Sequence, residues 1–201
     1  YVPAHGLLDG RRVVVTAAAG AGIGLSTAKR CLEEGATHVT IGDVHEGRLE
    51  ATREELSTAF GTDRVSAVVC DVRNEDHIDA LLQAGSHVGP LDVMVNNAGL
   101  GGTASILDMT DEQWSVVVDI TLTGTFKCLR AVGRMMVEKG VAGKIVNNAS
   151  VIGWRAQAGQ AHYAAAKAGV MALTRSAAMD FAPHGIRVNA VSPSLAMHPF
   201  L

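Results

Sequence analysis

Tyr163 and Lys167 stand four residues apart in HYAAAKAGVMALTRSAA, the stretch from His162 to Ala178. On a helix, residues at that spacing lie one above the other on the same face. The surrounding alanines suit a packing helix. A phenol and an ammonium so placed are either a surface pair or an acid beside the charge that tunes it. A free tyrosine has a pKa of about 10 and is a poor base at neutral pH. A nearby cation favours the phenolate, and each unit of depression corresponds to about 1.4 kcal/mol. Such a phenolate takes the proton of an alcohol and, in reverse, returns one to a forming alkoxide.

The elements that must position this pair follow from the apolar pattern. Strands are predicted at Arg11–Thr16, Thr37–Gly42, Arg64–Cys70, Leu91–Val95, Lys144–Asn148 and Ile186–Val191. Helices are predicted at Gly22–Glu34 (with Gly35 as its C-cap), near Asn74–His87, and at Glu46–Phe60, Asp111–Glu138 and Gln160–Phe181. Unbroken Val/Ile runs suit strands buried on both faces, and alternation with helices implies right-handed βαβ units. The expected fold is a single α/β domain with a doubly wound parallel sheet of the Rossmann type. In such sheets ligands bind beyond the carboxyl ends of the strands. The glycine turn, Asp43, Asp71, Asn97 and Ser150 all fall at such ends.

The turn after the first strand reads Thr16-Ala-Ala-Ala-Gly20-Ala-Gly22-Ile23-Gly24. Glycines there let the backbone approach a pyrophosphate, which then meets the helix N-terminus. Asp43 ends the second strand, where a carboxylate accepts bonds from an adenosine ribose and repels a 2′-phosphate. Neither Ala21 nor Val44 and His45 is basic, so the reading is NAD rather than NADP.

Composition narrows the class. With 48 % hydrophobic and 18 % charged residues the chain is globular rather than disordered. A net charge of −3 gives no support for nucleic acid or an anionic membrane surface as a partner. Eight scattered histidines without HExxH spacing, and no CxxC, give no metal site. Cys31, Cys70 and Cys128 read as buried thiols of a reducing, cytoplasmic compartment. No apolar run is long enough to span a membrane, and no signal peptide is visible. The chain begins at Tyr1 and ends soon after the sixth strand, so a few upstream residues and a C-terminal part are expected to be missing.

These motifs together resemble the short-chain dehydrogenase/reductase family. The resemblance covers nearly all of residues 1–201, read as one NAD-binding domain. Its carriers are the glycine turn, Asp71 after the third strand, Asn96-Asn97-Ala98-Gly99, Ser150 thirteen residues before Tyr163, the Tyr163-x-x-x-Lys167 pair, and Asn189-Ala-Val-Ser-Pro193. The resemblance implies that Ser150, Tyr163 and Lys167 are catalytic, with Ser150 holding the substrate oxygen and Lys167 also binding the nicotinamide ribose. It implies cofactor contacts from Gly20, Gly22, Ile23, Gly24, Asp43, Asp71 (near the adenine), Val72, Asn97, Ala98, Gly99, Tyr163, Lys167 and Pro193. It also implies a homotetramer or homodimer built on the two long helices.

The chain departs from the family's pattern in three places. The glycine turn carries one extra residue, and Ala17 replaces the usual glycine after the threonine. Thr121 stands where an asparagine usually props the catalytic lysine through a water; its hydroxyl is expected to bind a water in its place. Pro193-Ser194-Leu-Ala-Met-His198 replaces a Pro-Gly followed by a threonine. GLLDG, TAAAGAGIG and NNASVIGWRAQ resemble an actinobacterial subgroup associated with breakdown of steroid rings, with bulky CoA thioesters as substrates. Trp154 walls an apolar pocket or simply packs, and Arg155 meets an acidic or CoA group or is simply solvated. The leading expectation is an NAD-dependent dehydrogenase for a secondary alcohol or ketone on a bulky apolar, steroid-derived or CoA-linked substrate. The alternatives are an NADPH-dependent 3-oxoacyl-thioester reductase and, from another class, a nucleotide-sensing binding protein on a dehydrogenase fold.

Overall fold

The computed structural model describes residues 2–196. Six parallel strands, β1 (Arg12–Thr16), β2 (His38–Asp43), β3 (Val65–Val69), β4 (Val93–Asn96), β5 (Lys144–Asn148) and β6 (Arg187–Val191), lie in the order β3-β2-β1-β4-β5-β6. The chain winds outward from β1 to β3, then crosses to β4 on the other side of β1. That reversal opens a crevice at the carboxyl ends of β1 and β4. Helices α1 (Ile23–Glu33), α2 (Glu46–Phe60), α3 (Glu75–Gly85), α4 (Asp111–Val118), α5 (Gly124–Glu138) and α6 (Ala161–Phe181) cover the sheet.

Strand residues feed two cores in alternation, as the pleat requires. Val13, Val15, Val39 and Ile41 pack with Leu32, Leu49 and Leu56 on one face. Val14, Met94, Ile145 and Val188 pack with Leu81, Leu129 and Met136 on the other. The doubly wound arrangement matches the sequence expectation, and strand and helix ends shift by only one or two residues. Gly35 has φ +91° just past α1, the left-handed stop expected of it.

The expected single helix Asp111–Glu138 is interrupted. Residues Asp119–Thr123 form a π-helical turn between α4 and α5. Just beyond it, in the first turn of α5, the Thr125 hydroxyl donates 2.7 Å back to the Thr121 carbonyl. Gly124 lies so close to Val72 that a Cβ would come within 2.6 Å of its Cγ2. A wider turn of this kind has no hydrophobic period of its own and is common at functional sites.

All three cysteines are free and buried. Burial pushes the Cys31 thiol up to about 11 and Cys70 up to about 12, which leaves them inert as nucleophiles at neutral pH. Among the described residues no helix is long and apolar enough to cross a membrane.

At the end of the sheet remote from the crevice, buried Asp92 joins β1 to β4. It accepts 2.9 Å from the Arg12 main-chain N–H, 3.0 Å from Arg12 Nε and 3.1 Å from Arg11 Nη1. Burial raises its carboxyl, but these donors outweigh it and hold the group below the ordinary carboxylate value. A depressed folded-state value means stabilisation present above the unfolded pKa of about 3.9 and lost as pH falls through the folded one. Asp92→Asn should therefore cost about 1–3 kcal/mol at pH 7. It should also flatten the acid limb of the stability curve. Urea unfolding at neutral and acid pH measures both; unchanged stability at pH 7 would refute the role.

Candidate active site

Thr16 ends β1 fully buried, and its hydroxyl accepts from the main-chain N–H groups of Asn97 (2.9 Å) and Ala98 (3.0 Å). The Asn97 amide donates to the carbonyls of Thr16 (3.1 Å) and Ala17 (2.9 Å). Ala17 takes φ +50°, the left-handed region that glycine enters freely and alanine only at a cost of about 1–2 kcal/mol. The grip of Asn97 on its carbonyl shows how the loop keeps that conformation without the usual glycine. Gly20 has φ +87° and donates to Thr52 Oγ1 at 3.2 Å. A Cβ on Gly24 would lie 2.1 Å from the Ala17 carbonyl oxygen. Gly22 caps α1 without any side-chain bond, so among the described residues no side chain covers the helix N-terminus beside exposed Ile23, which suits an anion.

A cleft of about 350 Å³ opens beside this turn, lined among others by Ala17, Asp43, Arg48, Asp71, Val72 and Gly99. Asp43 accepts 3.1 Å bonds from the N–H groups of Ala19 and His45. Burial raises its carboxyl, partly offset by those bonds and by the Arg48 charge. That arginine corrects the sequence reading, in which no basic residue stood beside Asp43: the first turn of α2 carries it into the same cleft. Asp71 is clasped by Arg73, whose Nε and Nη2 donate at 3.0 and 2.6 Å, and this partner lowers its carboxyl.

The catalytic candidates converge across Gly99. Lys167 is 3 % exposed, and its Nζ donates 2.5 Å to the Asn148 carbonyl. Burial pulls its ammonium down to about 8. The Nζ lies 5.6 Å from the centre of the Tyr163 ring. Burial pushes the half-buried Tyr163 phenol up, and a hydrogen bond from the Ser150 hydroxyl opposes this. Ser150 is itself buried, accepting 3.3 Å from Ile152 N–H. A Cβ on Gly99 would meet Lys167 Nζ at 3.3 Å.

Thr121 is fully buried, but its hydroxyl accepts from Leu100 N–H (3.0 Å) and donates to the Leu100 carbonyl (3.2 Å). The hydroxyl thus ties the π-helical turn to the loop after β4. The Pro193 carbonyl accepts 3.0 Å from Val151 N–H, tying the segment after β6 to the Ser150 loop. His198 lies outside the described residues. Trp154 is 70 % exposed, so it does not pack internally, and Arg155 is exposed beside it.

Sequence reasoning passed over two features here. One is Arg48. The other is a pair of asparagine doublets, Asn96-Asn97 and Asn147-Asn148. The repeated NNA of NNAG and NNAS was the available signal, and β4 and β5 place Asn96 opposite Asn147. Asn96 Nδ2 donates 2.8 Å to Asn147 Oδ1, and Asn148 Nδ2 donates 2.8 Å to Asn97 Oδ1.

These features fit a dinucleotide. An uncapped helix N-terminus suits a pyrophosphate, Asp43 faces an adjoining cleft, and the Cβ-free surface of Gly99 admits a ligand close to Lys167. Asn148 Oδ1 is buried without a partner among the described residues, an acceptor left over beside Asn97.

The family model for short chain dehydrogenase matches residues 11–198. A Mycobacterium tuberculosis protein, (5R,7aS)-5-hydroxy-7a-methyl-1-oxo-2,3,5,6,7,7a-hexahydro-1H-indene-carboxyl-CoA reductase, is 57 % identical over 201 residues, 100 % of this chain and 76 % of its own. A 3-oxoacyl-[acyl-carrier-protein] reductase of Thermotoga maritima is 36 % identical, over 96 % of this chain and 76 % of its own. The crystal structure of a short chain dehydrogenase from Mycobacterium smegmatis superposes with a TM-score of 0.93 at 54 % identity, covering 98 % of this chain and 81 % of that one.

The contacts at Gly24 generate a test of the turn. Gly24→Ala drives a methyl group into the Ala17 carbonyl, so it should destabilise the protein by about 1–3 kcal/mol. It should weaken dinucleotide binding at least tenfold. Thermal unfolding and NADH fluorescence titration read the two effects, and a variant with unaltered NADH affinity would show that the turn does not hold the cofactor.

Proposed function

The chain belongs to the short-chain dehydrogenase/reductase family, and from that premise we propose that it moves a hydride between NAD(H) and a secondary alcohol or ketone on a bulky alicyclic CoA thioester. The observation that carries this reading is the convergence of Ser150, Tyr163 and Lys167 beside an uncapped, glycine-lined helix N-terminus. Tyr163 is the acid–base group. In the oxidative direction it takes the alcohol proton; in reduction it gives that proton back. Ser150 holds the substrate oxygen. Lys167 holds the nicotinamide ribose, and its charge favours the phenolate against the burial that opposes it. The bound nicotinamide supplies the hydride acceptor or donor and, when oxidised, a positive charge. Gly20, Gly22, Ile23 and Gly24 take the pyrophosphate, and Asp43 takes the adenosine ribose. Asp71, Val72, Asn97, Ala98, Gly99 and Pro193 complete the cofactor site. Thr121 serves it indirectly, by fixing Leu100.

The substrate class rests on the reductase relative and on chemistry at the two segments flanking the catalytic groups. Ile106 and Leu107 are 75 % and 90 % exposed on one, and Trp154 is exposed on the other. The segments are joined where Ala104 N–H donates 2.9 Å to the Gly159 carbonyl. Apolar side chains left open there suit a bulky ring system, and exposed Arg155 suits a CoA phosphate. The groove between α5 and α6, lined by Phe126, Leu129, Val137 and Phe181, supports assembly into a homodimer or homotetramer.

A second reading, an NADPH-dependent 3-oxoacyl-thioester reductase, draws on Arg48. Its guanidinium has no hydrogen bond or ion pair among the described residues and lines the clefts on both sides of Ala19. We hold to NAD because the Asp43 carboxylate repels a 2′-phosphate, with Arg48 narrowing the margin.

Turnover of alicyclic hydroxyacyl-CoA and simple 3-hydroxyacyl-CoA substrates with both cofactors separates the readings. Tyr163→Phe should keep NADH affinity and lower kcat at least about a hundredfold; a variant that retains most of its turnover removes Tyr163 from the chemistry. The unmodified protein should show the higher kcat/KM with NAD. Asp43→Ala should narrow that preference and Arg48→Ala widen it. Equal use of both cofactors by the unmodified protein would contradict the assignment.

A further inference from the structure

We propose that Asn148 is a positioning residue that sets the cofactor-binding turn and the catalytic lysine together: its side chain reaches the turn through Asn97, and its main-chain carbonyl holds the Lys167 ammonium. The inference rests on the dehydrogenase reading above and adds to it the group that aligns the lysine.

The connection runs through three consecutive hydrogen bonds. Asn97 Nδ2 donates to the carbonyl of Ala17 at 2.9 Å. Asn97 Oδ1 accepts from Asn148 Nδ2 at 2.8 Å. The Asn148 carbonyl accepts from Lys167 Nζ at 2.5 Å. At one end stands Ala17, held at φ +50°. At the other stands an ammonium with 3 % exposure.

Nothing else among the described residues does this work. The Asn148 carbonyl is the one acceptor there within hydrogen-bond distance of Lys167 Nζ. Thr121 donates its hydroxyl proton to the Leu100 carbonyl and accepts from the Leu100 N–H. The backbone register between β4 and β5 stops at Asn96 and Asn147. Beyond that point the Asn97–Asn148 side-chain bond continues the connection between the strands. An apolar side chain at position 148 would leave Asn97 Oδ1 without its donor and free the end of β5 on its β4 side, leaving the pairing of Asn148 with Val191 of β6 as its lateral support. The carbonyl would then drift from Lys167, and an ammonium deprived of its acceptor loses its proton more readily.

Asn148→Leu keeps the γ-branched shape and removes the amide. Asn148→Ser is a smaller change that carries the test should the leucine variant fail to fold. Two readouts on the intact protein require no turnover: NADH affinity by fluorescence, and the Lys167 titration by NMR of ¹³C-labelled lysine, assigned with Lys167→Met. Both should move together, NADH binding weakening threefold or more and Lys167 titrating at least about half a pH unit lower. Lower thermal stability with both readouts unchanged would make Asn148 merely structural and overturn the proposal, as would movement of one readout alone. Joint movement in a protein that turns over no alcohol would sustain the coupling and overturn the dehydrogenase reading. Normal turnover without joint movement would do the reverse.

Discussion

A primary amine kept 97 % out of water beside a half-buried phenol is the constraint on which the rest of this site depends. Burial acts on both groups against ionisation. It draws Lys167 down to about 8 and lifts Tyr163 above its ordinary value. A charge held in such a place costs several kcal/mol unless it is paired or hydrogen-bonded. The Asn148 carbonyl supplies that bond, Gly99 leaves the space, and the alanine-rich α6 carries both groups on one face. The Ser150 hydroxyl favours the phenolate. In this account the positive charge of the oxidised nicotinamide completes the balance, which ties proton removal to cofactor binding.

The sheet determines where this balance is struck. Thr16, Asn97 and Asn148 stand at the carboxyl ends of three adjacent strands, β1, β4 and β5. Their hydrogen bonds run across the strand ends where the backbone ladder has stopped. The polar residues left over from the sheet thus become the frame of the crevice. On the other face of the same strands, Asn96 bonds Asn147 and Asn147 bonds Thr174 of α6, which fixes that helix against β5 two turns beyond Lys167. The charged partner at the far end, Asp92, keeps β1 and β4 aligned.

Most of this was legible from residue types and local spacing. The Val-rich strands, the glycine turn and the Tyr163–Lys167 pair each declare themselves within a short window. What escaped depends on distance or on irregular winding. The π-helical turn at Asp119–Thr123 arises from a Thr125 back-bond and from Gly124 against Val72, neither of which has a period. Arg48 sits five residues from Asp43, and only the path of α2 brings its charge into the acid's cleft. The asparagine doublets are separated by some fifty positions, and their meaning appears only once β4 and β5 are in register. The link from the Thr121 hydroxyl to both main-chain groups of Leu100 likewise joins positions far apart in the chain.

The coupling between phenol and cofactor charge can be read directly by ultraviolet difference titration. The sequence has two tyrosines, Tyr1 and Tyr163, so subtracting the Tyr163→Phe spectrum leaves one phenol. Without cofactor, Tyr163 should ionise above the ordinary value of about 10. With saturating NAD⁺ its midpoint should fall by at least about one pH unit, roughly 1.4 kcal/mol in favour of the phenolate. A midpoint identical with and without NAD⁺ would contradict the account.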